Sequence, residues 1–260
     1  MIKILKYSIY DLGRSHWTFI YFGFYLLIAG TLLFLGGDVL KAIISLMNII
    51  LILIPLISTI FGIMYFYNSR DFIELLVAQP VKRSSIFLGQ YLGLSLALSV
   101  SFLLGMGIPF LFYGLKDSGQ FMNFLSLILT GSFLTFIFTA VAFLIGLFNE
   151  NKIKGFGLAI LFWLFMAVIY DGLFLLSLLM LEAYPIEKLA LGMTVFNPID
   201  LSRIFIMLKL DISALMGYTG AIFQDFFGTA TGLTITILAL GLWVFIPVYG
   251  LKLKGNAKDF

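Results

Sequence analysis

Six stretches of this chain, at about residues 17–36, 43–67, 87–113, 123–148, 156–181 and 229–251, each run for roughly twenty or more mostly apolar residues. A helix rises about 1.5 Å per residue, so each stretch is long enough to cross about 30 Å of hydrocarbon. In that medium every backbone N–H and C=O must be satisfied inside the structure, which leaves helices or closed barrels. Barrel strands would alternate apolar and polar residues over about ten positions, whereas these runs are continuous. Composition points the same way: with 62% hydrophobic and 11% charged residues, the chain has too little polar surface to cover a soluble globule. The expectation is an all-α membrane protein with six transmembrane helices in a single domain spanning residues 1–260.

Lys3, Lys6 and Arg14 precede the first run. That run exceeds a signal-peptide core and has no small-x-small cleavage pattern after it, so it reads as a retained first helix. Counting basic residues in the connections sets the orientation. With both termini in the cytoplasm, the inner segments hold Lys3, Lys6, Arg14, Arg70, Lys82, Arg83, Lys152, Lys154, Lys252, Lys254 and Lys258, eleven in all. The outer segments hold five: Lys41, Lys116, Lys188, Arg203 and Lys209. The formal net charge of +3 follows from this asymmetry and is no argument for nucleic-acid binding.

Most connections, such as LGGDVLK, KDSGQ and NENKIKG, only turn the chain. Two are longer. Residues 182–228, placed outside, are broken by Pro185, by the pair Asn197–Pro198 and by Gly217, Gly220 and Gly228, which predicts short helices at or above the outer interface. There Asp200 is placed to cap a helix starting at Leu201, with Arg203 exposed on its first turn. The second, at 69–85, lies on the cytoplasmic side and carries Arg70, Asp71, Glu74, Gln79, Pro80, Lys82 and Arg83. As a helix it sets Phe72, Ile73, Leu75 and Leu76 on an apolar side, with Arg70 and Glu74 four apart and able to pair, until Pro80 stops it. That pattern suits either a solvated turn or an interfacial docking element.

The string SRDFIELLVAQPVKRSSIFLGQYLG resembles the segment after the second helix in ABC-2 type permeases. There an acidic, leucine-rich helix ends in Gln-Pro and a basic pair, followed by the opening of the next span. The resemblance implies an ABC-2 permease fold, a homodimer, and a cytoplasmic ABC ATPase docking on the 69–85 segment. Ser69, Arg70, Asp71 and Phe72 stand where that family commonly starts acidic-Arg-Gly-Thr. The strings FNPIDLSRIFIML, ALMGYTGAIF and YDGLFLLSLL are similar, more narrowly, to the permeases of NosDFY-type transporters. That likeness implies export of a sulfur species for the copper centres of nitrous oxide reductase, a NosF-like ATPase, and a NosD-like periplasmic partner meeting Asn197, Pro198, Asp200 and Arg203. The implied location is the inner (cytoplasmic) membrane of a bacterium or archaeon.

The chain carries no GxxxxGK[ST] phosphate loop, so ATP is expected to be bound by another chain. With one histidine, His16 beside Trp17, and no cysteine, neither HExxH nor a His/Cys cluster can form, so neither metal, cofactor nor catalytic residue is expected. The ten methionines are scattered, as gap-fillers in apolar packing are. Asp171 is the one acidic residue well inside a predicted span, about fifteen positions in. An ionised carboxylate there costs on the order of 3 kcal/mol, so it should line a polar path, pair with a group of the 182–228 stretch, or mark the outer boundary. Gly89-x-x-x-Gly93 and Gly228-x-x-x-Gly232 allow close helix approach, within the chain or across a dimer. Two other functions stay open: an ABC-2 exporter of a lipid, peptide or drug, and a secondary carrier. The carrier is disfavoured by a single intramembrane carboxylate and the lack of a repeat.

Overall fold

The computed structural model describes residues 2–77, 82–180, 187–210, 224 and 226–257. Gln79 and Pro80 of the polar stretch lie outside them, as do Pro185, Gly217, Gly220 and Lys258. Among the described residues the chain is helical without strands. The helices are α1 (Ile2–Gly13), α2 (His16–Gly36), α3 (Val39–Asn68), α4 (Arg70–Val77), α5 (Arg83–Phe112) and α6 (Phe121–Phe148). They continue with α7 (Lys152–Leu164), a π-helical turn (Phe165–Ile169), α8 (Tyr170–Met180), α9 (Glu187–Phe196), α10 (Pro198–Lys209) and α11 (Ala230–Ala257). Six helices are long and apolar enough to cross a bilayer: α2, α3, α5, α6, the composite Lys152–Ser177, and Thr231–Asn256.

The basic N-terminal flank is itself a helix. Ile4, Ser8 and Leu12, four apart, form the buried stripe of α1 and lie on α5. Gly89 and Gly93 of α5 make the seat: a Cβ at Gly89 would stand 2.9 Å from Ile4 Cγ2, and one at Gly93 would overlap the Ser8 side chain. This glycine pair therefore serves packing within the chain. The second pair does not join helices, since a Cβ at Gly232 would collide with the backbone of Phe226 and Phe227 in the turn leading into α11.

Between α2 and α3 the chain reverses in two residues. Gly37 takes φ +62°, a region open to glycine, and its N–H donates to the Leu33 carbonyl. Asp38 then caps α3, its carboxylate accepting from Leu40 N–H at 2.8 Å. The centre of the bundle is α6, which packs on α3, α5, α7, α10 and α11. Its approach to α3 needs small residues: a Cβ on Gly62 would lie 2.8 Å from that of Ala142, and one on Gly146 would lie 2.5 Å from the Phe66 ring. Tyr25, Phe87, Phe102, Phe138 and Phe143 fill the interior around it.

The tie points show which ends lie together. Tyr67 at the end of α3 reaches the α6–α7 turn, Ser84 N–H at the start of α5 donates to Asn256 Oδ1 near the end of α11 at 3.3 Å, and Tyr7 of α1 stacks on Phe72 of α4. Lys3, Lys6, Arg14, Arg70, Lys82, Arg83, Lys152, Lys154, Lys252 and Lys254 all belong to the helix ends and turns gathered there. The α2–α3 and α5–α6 turns, α8, α9 and α10 make up the opposite end. Within the 182–228 stretch, α9 and α10 are bent by 112° against each other, so they do not form one straight crossing. Ile199, Leu201, Ile204 and Ile206 of α10 are buried against α3, α6 and α11, which places this helix in the bundle rather than above it.

Candidate functional site

At the end of the bundle away from the basic cluster, α8 and α10 bring three charges together. Asn197, and not Asp200, caps α10: its side-chain oxygen accepts from Ile199 N–H at 3.0 Å, with Pro198 at the first helical position. Both residues are competent caps. What decides between them is the other face of the Asn197 amide, whose Nδ2 donates at 2.8 Å to the Met166 carbonyl in the π-helical turn of the fifth span, and at 2.8 Å to Asp200 Oδ2. A π turn loosens the regular i→i−4 ladder, and Asn197 supplies a donor to it from another helix.

Asp200, three residues on, is thereby buried, and Arg203 is not the exposed residue that the spacing suggested. Its guanidinium Nη1 lies 3.0 Å from Asp200 Oδ1 and 3.1 Å from Asp171 Oδ2, with the Arg203 side chain 28% exposed. The arrangement joins the intramembrane carboxylate of α8 to a cation from the 182–228 stretch. Two carboxylates against one guanidinium leave an excess negative charge in a poorly solvated place. Both Asp200 oxygens serve as acceptors, Oδ1 from Arg203 and Oδ2 from Asn197, so the guanidinium and the amide hold the carboxyl between them. Tyr170, which sequence reasoning did not single out, donates to the Met193 carbonyl at 2.6 Å and ties α8 to α9. Trp243 Nε1 donates to the Val195 carbonyl at 3.1 Å, fixing the bend between α9 and α10 to α11.

At the basic end, α4 is the polar element. Its inner side is held by Ile73, fully buried, and by Phe72, stacked on Tyr7 at 4.9 Å. Asp71 and Leu75, one helical turn apart, face outward, Leu75 being 69% exposed. The Glu74 side chain, and with it the expected Arg70–Glu74 pair, lies outside the described residues. Arg70 donates to the Glu150 carbonyl at 3.3 Å. Beside it Tyr67 donates its hydroxyl to the carbonyls of Asn149 (2.8 Å) and Asn151 (3.3 Å), while the Asn151 side chain caps α7. The root of α4 is therefore fastened to the turn from which the fifth span starts. Lys82 stands exposed as the N-cap residue of α5, and Arg83 is half-buried in its first turn. His16 is exposed at the start of α2 beside Trp17, and the described residues hold no metal-ligand cluster.

These features define an all-helical, multi-pass membrane protein whose architecture is consistent with the permease component of an ABC transporter. Sequence comparison names a particular relative: the chain is similar to the "Probable ABC transporter permease protein NosY" of Stutzerimonas stutzeri, with 26% identity over 178 residues. The alignment covers 66% of this chain and 58% of the relative, so the chain matches less than two thirds of that protein's length. No protein-family model matches the chain.

Proposed function

We propose that this chain is the transmembrane permease subunit of an ABC transporter of the NosY kind, itself without enzymatic activity. The observation that carries the reading is α4: a short helix with an outward face of Asp71 and Leu75, rooted through Tyr67 and Arg70 in the turn that begins the fifth span. A cytoplasmic, NosF-like ATPase gripping Arg70, Asp71, Glu74, Gln79, Pro80, Lys82 and Arg83 would pull on a lever connected to α7. The basic residues collected at this end support its placement on the cytoplasmic side, with both termini inside, in the inner membrane of a bacterium or archaeon. Two copies enclose the path, and closure of the ATPases moves them between arrangements open to either side.

The opposite end, with Asn197, Pro198, Asp200 and Arg203 around Asp171, faces the periplasm and meets a NosD-like partner there. The cargo in this reading is a sulfur species destined for the copper centres of nitrous oxide reductase, and Asp171 stands at the outer part of its route. The test is co-expression and co-purification with a NosF-like ATPase from the same organism. ATP hydrolysis absent from the lone chain and restored only in the complex is the expected result. A Leu75→Asp exchange should abolish co-purification while the chain alone remains folded. An intact complex with that variant would remove α4 from the interface.

A further inference from the structure

Where α1 ends and α2 begins, a cavity of about 380 Å³ opens between these helices and α3 and α5. Asp11, Arg14, Ser15 and Thr18 form its polar rim, and its floor is apolar, with Phe61 and Leu98 among the lining residues. The two rim charges are of opposite sign and close in sequence, and neither makes an ion pair within the described residues. Arg14 instead rests its guanidinium 5.7 Å from the centre of the Tyr10 ring.

The position of the cavity selects its ligand. It sits at the first turn of α2, a 21-residue apolar helix, and hence at a boundary between hydrocarbon and water. Trp17 stands at the mouth, 59% exposed, as aromatic residues do at that depth. From there Trp17, Ile20, Phe24 and Leu27, spaced three, four and three apart, form a bare strip running down α2. A polar rim holding one cation and one anion, continuous with an apolar track into the bilayer, matches a molecule with a phosphate, an amine and acyl chains.

We infer that this elbow binds a phospholipid with a zwitterionic, amine-bearing headgroup: phosphatidylethanolamine, its phosphate on Arg14, its ammonium on Asp11, and its acyl chains along the α2 strip. The inference depends only on the chain spanning a membrane and stands whether or not an ATPase docks on α4.

The test uses the full chain in detergent. Native mass spectrometry and thermal unfolding are followed on adding phosphatidylethanolamine, phosphatidylcholine or phosphatidylglycerol, with free phosphoethanolamine as a further arm. The expected result is selective retention of, and stabilisation by, phosphatidylethanolamine. Choline cannot donate a hydrogen bond to Asp11, and glycerol carries no positive charge. Asp11→Asn and Arg14→Ala, both at exposed positions, should each weaken retention about tenfold, the loss of one charge-assisted bond, without lowering the unfolding temperature in lipid-free detergent. Equal retention of the three lipids, unchanged retention in Asp11→Asn, or binding of free phosphoethanolamine as tight as that of the lipid would each overturn the assignment. So would a cross-link showing a second copy of the chain seated in the elbow.

Discussion

The two ends of the bundle handle charge in opposite ways. At the end carrying α8, α9 and α10, the charged groups are turned on one another: Arg203 joins Asp171 and Asp200, and Asn197 closes the set onto the Met166 carbonyl. At the end carrying α1 and α4, the ties are made by a phenol and a guanidinium to main-chain carbonyls, Tyr67 to Asn149 and Asn151 and Arg70 to Glu150. Asp71 and Lys82 there, like Lys152 and Lys154, are left to the solvent. Charges neutralised internally hold one arrangement of helices. Exposed charges contribute little to stability and are available to a partner. The contrast separates an end whose charges are closed on one another from an end whose charges stay exposed, and the fifth span connects them, with its π turn beside the first and its Asn151 cap beside the second.

The largest effect that would test this contrast is loss of the shared cation. Arg203→Ala leaves two carboxyl groups facing each other without a counter-ion, which should destabilise the protein by about 2–4 kcal/mol, the lower part of the range for a broken buried pair because the side chains are partly exposed. Thermal unfolding in detergent measures it, and a loss below about 0.5 kcal/mol would mean that this end is no more tightly built than the other. Next comes Asp200: Asp200→Ala removes the acceptor shared by Asn197 and Arg203 and should cost about 1–3 kcal/mol in the same unfolding measurement. A loss no larger than that of an exposed exchange would mean that the buried carboxyl does not tie the cap to the cation.

How much of this could be read from sequence differs by element. The six spans were legible because long apolar runs are long enough to cross hydrocarbon as helices, and the breakers at 197–198 marked a break between short helices, although the second starts at Pro198 and not at Leu201. The N-terminal helix was not separated from its basic flank, since Ser8 interrupts an apolar stripe only twelve residues long. Asp200 was assigned the cap because Asn197 and Asp200 are equally good cap formers. The choice turns on a carbonyl thirty-one residues away, which local sequence does not encode. Arg203 was expected in solvent for the same reason: its partner Asp171 is thirty-two residues distant. Tyr67 gave no signal, being one aromatic residue in a run rich in them. The π turn has no residue signature in FMAVI beyond ordinary apolar helix.

The smaller predictions belong to the end with exposed charges. Tyr67→Phe removes two hydrogen bonds to turn carbonyls and should cost about 1 kcal/mol. In the proposed complex it should leave ATP hydrolysis near normal while transport falls, because the lever then slips against α7. Gly155→Ala probes the same joint from the other side, since a Cβ there would run into the Tyr67 hydroxyl. Combined with Tyr67→Phe, which makes room, it should cost less than the sum of the two single changes. Strict additivity would show that the tyrosine and the glycine do not share a contact. The smallest expected effect is on the outward face of α4: Asp71→Lys should shift stability by less than about 0.5 kcal/mol, as exposed exchanges do. Any loss of partner binding in that variant would then belong to the interface alone, because the fold that presents Asp71 is held by Ile73 and Phe72, on the opposite side of the same helix. A destabilisation as large as that of Arg203→Ala would instead place Asp71 among the groups that hold the bundle together, and the distinction between the two ends would fail.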